Sequence, residues 1–317
     1  MDASHNKSLC IWAVTDHKPG HRNQLQGLSD ALNRMASPDL TVETHWLGVP
    51  VKKADNLATL FNRHHLSISD NPPDYIICCG HRTHWQALYL RWRFGAKLIV
   101  LMKPTLPLSW FDLCVIPYHD GDFKQGNVFQ TQGVLNKVTP APAFTARANG
   151  LKEGLILIGG PSRHYSWDNK NIIEQLKQLI AETTDTHWTL STSRRTPEQF
   201  ETLAASLESD QITLVPVSKT DEHWLPRQFQ QSESIWVTED SVSMVYESLS
   251  SGAKVGLLSV PVKQDNRITR GVERLCAEQR LIKLGSATSG ETPAINAPLQ
   301  EANRIASLIL TKAGGLT

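Results

Sequence analysis

Residues 237–252 read VTEDSVSMVYESLSSG, and the fold follows from how they are parsed. The stretch runs from the end of a strand through a polar turn into one helix and a glycine stop. Ser234 to Thr238 is short and β-prone. Glu239, Asp240 and Ser241 break the apolar run, and Asp240 or Ser241 is placed to cap the helix that follows. Val242, Val245, Tyr246 and Leu249 share one helical face and are expected to pack on a sheet. Ser243 and Glu247 share the opposite, polar face. Gly252 suits the left-handed position after a helix. A strand-turn-helix of this kind presents free backbone N–H groups at the helix N-terminus, which favours phosphate. Ser241 and Ser243 would add hydroxyls, with Met244 beside them. Glu247, one turn deeper, could accept hydrogen bonds from a ribose diol. The plain alternative is an ordinary capped helix with Glu247 in solvent.

The rest of the chain alternates in the same way. Before this stretch, strands are expected at Leu9–Thr15, Leu40–Leu47, Asp74–Cys79, Lys97–Met102, Asp112–Ile116, Leu155–Ile158, His187–Thr192 and Gln211–Val217. Helices are expected at Gln24–Met35, Val51–Leu66, His84 to about Phe94 and Asp168–Ala181, and after SRRTPEQ with Pro197 in the first turn. Beyond it come a strand from Ala253, a helix from Asn266 to Arg280 and a last helix from Pro298 to Lys312. Asp221–Ser232 carries no clear period. Pro140-Ala141-Pro142-Ala143 reads as a linker. Two runs of strand and helix joined there imply two doubly wound, Rossmann-like domains facing a cleft, 1–145 and 146–317, with the last helix free to pack back on the first.

Composition narrows the function. At 317 residues the chain exceeds one typical domain. A formal net charge of +1 gives no argument for a nucleic-acid partner. The five cysteines lack CxxC spacing and read as reduced thiols of a cytoplasmic protein. No apolar run reaches the length of a membrane span, though Trp85, Trp92, Trp110 and Trp167 could serve peripheral contact, for instance at an inner membrane. No P-loop, G-x-G-x-x-G, H-E-x-x-H or G-x-S-x-G motif is present, which disfavours the enzymes those motifs mark.

Six polar stretches are expected at the carboxyl ends of strands, where such sheets bind ligands: DHKPGH, GHRTH, HDGD, GGPSRH, SRRT and EDSVS. Gly159 and Gly160 allow close backbone approach, to a diphosphate met by Ser162 and Arg163 or simply within a turn. Ser193, Arg194 and Arg195 are placed to neutralise a leaving diphosphate, or are surface residues. Asp16, His17 or His21 could take a proton from an acceptor hydroxyl, or they only shape a Pro-Gly turn. Metal binding by His17 and His21, or by His81 and His84, lacks a third ligand.

Read in order, TDHKPGHRNQ (15–24), ICCGHRTH (77–84), FDLCVIPYHD (111–120), LILIGGPSRHYSWD (155–168), STSRRTP (191–197) and VTEDSVSMVYESLSSG (237–252) resemble the bacterial members of the elongated-mitochondria (ELM) family of mitochondrial fission proteins. That family is similar to the GT-B glycosyltransferases. The resemblance implies a metal-independent glycosyltransferase that needs no cofactor, uses a nucleotide-diphosphate sugar of UDP type as co-substrate, and acts on a glycan or glycolipid acceptor such as a lipopolysaccharide core. It puts Asp16 and His21 in catalysis and Lys18, Gly20, His81, His119 and Asp120 on the acceptor side. Gly159, Gly160, Ser162, Arg163, Ser193, Arg194, Arg195, Glu239, Asp240, Ser241, Ser243, Met244 and Glu247 fall on the donor side. One departure stands out: Thr220–Pro226 reads TDEHWLP where family members often carry a G-E-N-P-Y-like stretch. The fission name keeps a non-catalytic interaction protein open, and the architecture also fits a nucleotide-sugar epimerase.

Overall fold

The computed structural model describes residues 7–49, 71–141, 150–264, 267–285 and 297–314. In chain order these form β1 (Lys7–Thr15), α1 (Pro19–Met35), β2 (Leu40–Gly48), β3 (Tyr75–Cys79), α2 (His84–Phe94), β4 (Lys97–Leu101), β5 (Leu113–Pro117) and β6 (Val128–Thr131). There follow β7 (Lys152–Leu157), α3 (Asn169–Glu182), β8 (Thr186–Ser191), α4 (Glu198–Ala205), β9 (Ile212–Val215) and α5 (Trp224–Gln231). The chain continues with β10 (Ser234–Thr238), α6 (Val242–Ser251), β11 (Lys254–Leu258), α7 (Arg267–Ala277), β12 (Ile282–Lys283) and α8 (Glu301–Lys312). The expected helix at 51–66 lies outside the described residues, as do Pro142 and Ala143 of the expected linker.

The chain divides into two compact units, Met1–Lys137 with Gln300–Thr317, and Val138–Leu299. Each holds a six-stranded parallel sheet. The first runs β2-β1-β3-β4-β5-β6 and the second β12-β11-β10-β7-β8-β9. Parallel strands buried on both faces read as unbroken apolar runs, which is what IICC, LIVL and LCVI are. In β1, Leu9 and Ile11 face one core and Trp12 and Val14 the other. The first of these cores is closed by α1 through Leu25, Leu28 and Leu32 and by α8 through Ile305, Ile309 and Leu310. In the second unit Val245, Tyr246 and Leu249 of α6 pack on Leu155, Ile235 and Val255. On its other face Ile172 and Leu176 of α3 pack with Trp188 and Trp236.

Several elements differ from expectation. Residues 16–23 were expected to be a turn before a helix at Gln24, but α1 begins at Pro19. Proline at the first helical position loses no hydrogen bond there and has its φ preset. Strands β6 and β12 were missed, being four and two residues long. The unreadable stretch holds α5, whose Pro226 lies in its first turn. Pro197 sits one residue before α4, at its cap position, rather than inside its first turn.

Candidate functional site

In each sheet the chain reverses direction beside the first strand of its unit, and ligands in open α/β sheets bind at such a point. In the first unit the reversal lies between β1 and β3. Their register pairs Thr15 with Cys79, so Asp16 and Gly80 leave the sheet side by side. The Asp16 side chain is fully buried, and its Oδ1 accepts from His21 Nδ1 at 2.8 Å. Oδ1 also accepts from the Lys18 amide at 3.3 Å, and the Lys18 ammonium lies 3.8 Å from Oδ2. Burial pushes the Asp16 carboxyl up, but the hydrogen bond and charge of His21 and the Lys18 contacts outweigh it. The net value is below the ordinary one. An ionised carboxylate only accepts, so Nδ1 of His21 carries a hydrogen, and it is the neutral ring that keeps a lone pair on Nε2. Gly80 makes room for this: a Cβ there would lie 2.5 Å from His21 Nδ1, and its φ is +94°.

The sequence left Asp16, His17 and His21 as alternative bases, and the three side chains have different surroundings. His17 adopts φ +63° and lays its ring on Gly48, whose Cβ would meet Nε2 at 2.4 Å. Asp16 has no exposed surface with which to reach a substrate, whereas the His21 side chain keeps 17% of its own. A Cβ on Gly20 would meet nothing within 4 Å, so no close packing requires glycine there. His81 is exposed, while His119 and Asp120 form a short turn after β5 with Nε2 3.9 Å from Oδ1.

His84 does not join His81 as a ligand pair. It is buried, edge-on to Phe111 at 5.7 Å, with Nδ1 3.4 Å from Thr105 Oγ1. Burial, then the nearby His81, lower its pKa to about 4. The unfolded chain therefore binds the proton more readily between about pH 6.5 and 4, and stability falls across that window as pH falls. His84→Phe is expected to remove up to about 3 kcal/mol of that loss, read from urea unfolding at pH 7 and pH 4.5.

In the second unit the reversal lies between β7 and β10. Register pairs Val237 with Leu157, which sets Glu239 and Asp240 beside Gly159 and Gly160. The Asp240 side chain is fully buried, and its Oδ2 accepts from the Gly160 amide at 2.9 Å and from Arg195 Nη2 at 2.8 Å. Arg195 Nη1 donates to the carbonyls of Gly160 at 2.9 Å and Pro161 at 3.3 Å. Both glycines are demanded by close approach. A Cβ on Gly159 would lie 2.3 Å from Asp240 Oδ2, and one on Gly160 2.2 Å from the Arg195 carbonyl. Ser193 Oγ and Thr196 Oγ1 donate to the Gly159 carbonyl, and the Gly159 amide donates to Thr238 Oγ1 at 2.8 Å. Three loops, after β7, β8 and β10, are thus tied into one floor.

This corrects the expected helix cap. Asp240 does not cap α6; its carboxylate turns back to Gly160 and Arg195. Ser241 occupies the cap position without a side-chain capping bond. By contrast, Asp168 does cap α3, accepting from the Lys170 amide at 2.9 Å. Arg194 and Arg195 are also not equivalent cations. Arg195 is committed to the floor, while Arg194 is exposed. Glu239 is buried, paired with Lys283 at 2.6 Å and accepting from the Val260 amide at 3.2 Å. Burial pushes the Lys283 pKa down, but the bond and charge of Glu239 raise it overall.

Of the other residues expected on the donor side, Ser162 Oγ accepts from the amides of His164 and Tyr165, at 3.2 and 3.1 Å, and so holds its own turn. Arg163 and Ser243 are exposed, Ser241 and Glu247 are half-buried, and Met244 packs against the α6 core. Sequence reasoning missed Thr196, Thr238 and Lys283. Thr196 and Thr238 lie inside the quoted stretches 191–197 and 237–252, so a register argument could have found them. Among the described residues no helix is long and apolar enough to cross a membrane.

Comparison with known proteins agrees with this layout. An uncharacterized protein of Rickettsia prowazekii is 25% identical, covering 94% of this chain and 97% of its own. A Listeria monocytogenes structure, provisionally named a UDP-N-acetylglucosamine 2-epimerase, is similar with a TM-score of 0.57 at 14% identity, covering 96% of this chain and 88% of that one. The Neisseria meningitidis UDP-GlcNAc 2-epimerase bound to UDP-GlcNAc gives 0.52 at 11% identity over 97% and 92%. The glycotransferase of kitacinnamycin gives 0.51 at 12% over 96% and 98%. These likenesses establish a GT-B-like fold and no particular reaction. The chain matches the family described as Mitochondrial fission ELM1 over residues 19–313, and it belongs to that family.

Proposed function

We propose that the chain is a metal-independent GT-B-type glycosyltransferase that moves a sugar from a nucleoside-diphosphate donor of UDP type to a glycan or glycolipid hydroxyl. The observation that carries this reading is the Asp16–His21 pair. A fully buried carboxylate on Nδ1 supports this role, because it would hold the neutral imidazole in the tautomer whose Nε2 can act as a base. In this reading Nε2 takes the acceptor proton, the acceptor oxygen bonds to the anomeric carbon, and the diphosphate leaves with the bonding pair. The amides at the start of α6, Ser241, Ser243 and the exposed Arg194 meet the diphosphate, and Glu247 holds the ribose. Asp240, Arg195, Gly159 and Gly160 act beneath them by fixing the floor.

A thermal-shift screen against UDP, GDP, CMP, dTDP and ADP tests the donor half. A ligand at one hundred times its dissociation constant adds about 2.7 kcal/mol to the folded state. One diphosphate is expected to raise the midpoint, and Glu247→Ala to abolish the rise. If none binds the folded protein, the reading fails and an interaction protein takes its place. The two epimerases among the fold neighbours favour a second reading, which requires conversion of a nucleotide sugar with no acceptor present.

A further inference from the structure

From Tyr75 to Phe111 the sequence holds no Asp or Glu. The whole chain carries 31 acidic residues in 317, a frequency at which a stretch of this length would hold three or four. The same stretch holds Arg82, Arg91, Arg93, Lys97 and Lys103, and with them Trp85, Trp92 and Trp110. The fold gathers these rings. On α2, Trp85, Tyr89 and Trp92 recur at the spacing of one helical face. Ala87 and Leu90 turn the other way, into the core. Trp85 meets Trp110 edge-on at 6.1 Å, and Tyr89 meets Trp92 at 6.3 Å. Even so, Trp85 is 63%, Trp92 79% and Trp110 41% exposed. The first unit buries Trp12 but leaves Trp85 and Trp92 of α2, with Trp110 against Trp85, largely in water.

We propose that this face docks the first unit on an anionic phospholipid surface. Indole rings favour the boundary between headgroup and acyl chain, where one edge stays wet and the other is apolar. Lysine and arginine around them are drawn to acidic headgroups. The charges here have that sign. Arg93 is exposed with its guanidinium 5.2 Å over Phe94. At the far end of α2, Arg91 and Lys97 share one carboxylate, Asp112, at 3.0 and 3.9 Å, which leaves that end positive. A second copy of the chain is a poorer occupant. A two-fold contact through this stretch would bring cations to like cations, with Asp112 already shared by Arg91 and Lys97. The proposal does not rest on the transferase reading.

Flotation of the full chain with vesicles tests it. One set is phosphatidylcholine alone, the other phosphatidylcholine mixed with phosphatidylglycerol, each at low and high salt. Partition onto the anionic set is expected to exceed that onto the neutral set by about ten-fold and to fall at high salt. Tryptophan emission should shift to the blue and be quenched by brominated lipid. Trp85→Ser with Trp92→Ser should lower partition by about ten-fold, with the thermal midpoint unchanged because both rings are exposed. Arg93→Glu should erase the preference for the anionic set. The proposal is overturned if the wild-type chain does not float with anionic vesicles, or if the tryptophan variant floats equally well. It is likewise overturned if those substitutions abolish a dimer seen by light scattering while the chain never binds lipid.

Discussion

His21→Ala lowers turnover by about 10²- to 10⁴-fold while leaving the midpoint shift caused by the nucleoside diphosphate unchanged. The asymmetry is the content of this expectation. His21 stands in the first unit, in the first turn of α1, and the residues assigned to the nucleotide stand in the second. Loss of the base removes proton transfer in the transition state and no contact with the donor, so kcat falls and the donor KM does not. Asp16 acts through His21 and is a positioning residue. Asp16→Asn keeps an acceptor for the Nδ1 hydrogen but loses the charge, so kcat falls less than with His21→Ala and the donor KM again stays. A second readout separates this from a folding defect. The folded Asp16 carboxyl lies below its ordinary value, so its contribution to stability is present above about pH 4 and is lost as pH falls through the lowered folded value. In Asp16→Asn that acid-side slope disappears from the unfolding free energy. Full activity in His21→Ala would remove the mechanism.

Arg195→Ala destabilises the second unit by about 3–5 kcal/mol, more than the loss of one surface ion pair would. The side chain removed is 41% exposed, but the one left behind is not. The Asp240 side chain has no exposed surface and would keep the single amide of Gly160 as a hydrogen-bond donor. A buried carboxylate stripped of its cation is the costly species, so neutralising it should restore stability. Arg195→Ala combined with Asp240→Asn is expected to recover at least half of the loss. Urea unfolding of the two single variants and the double variant gives the cycle. Strictly additive losses would show that the pair does not couple.

The sheets were legible because parallel strands buried on both faces leave a mark that survives without any knowledge of partners. IICC, LIVL and LCVI have no polar residue to place them otherwise. Val128–Thr131 lacks that mark, since Val128, Phe129 and Gln130 are each only half-buried at the sheet edge. The start of α1 was misplaced because Pro and Gly in DHKPGH signal a turn as strongly as they permit a helix start. The site was legible as a set of loops and illegible as a set of roles. Asp240 before a helix looks like a cap whichever way its carboxylate turns. What decides the matter is Arg195, 45 residues earlier, and only the register of β7 with β10 and β8 brings the two together. The bond between His21 and Asp16 spans five residues and was within reach once α1 was known to begin at Pro19.

The last helix bears on how the protein is made. Arg34 of α1 donates to Asn303 of α8 at 2.6 Å, and Ile305, Ile309 and Leu310 close the same core as Leu25, Leu28 and Leu32. On the ribosome, residues 138–299 are complete before α8 has been translated. The second unit can therefore close first, while the first unit waits with its α1 leucines bare. For most of synthesis the chain that emerged earliest is the part still open to chaperones and proteases.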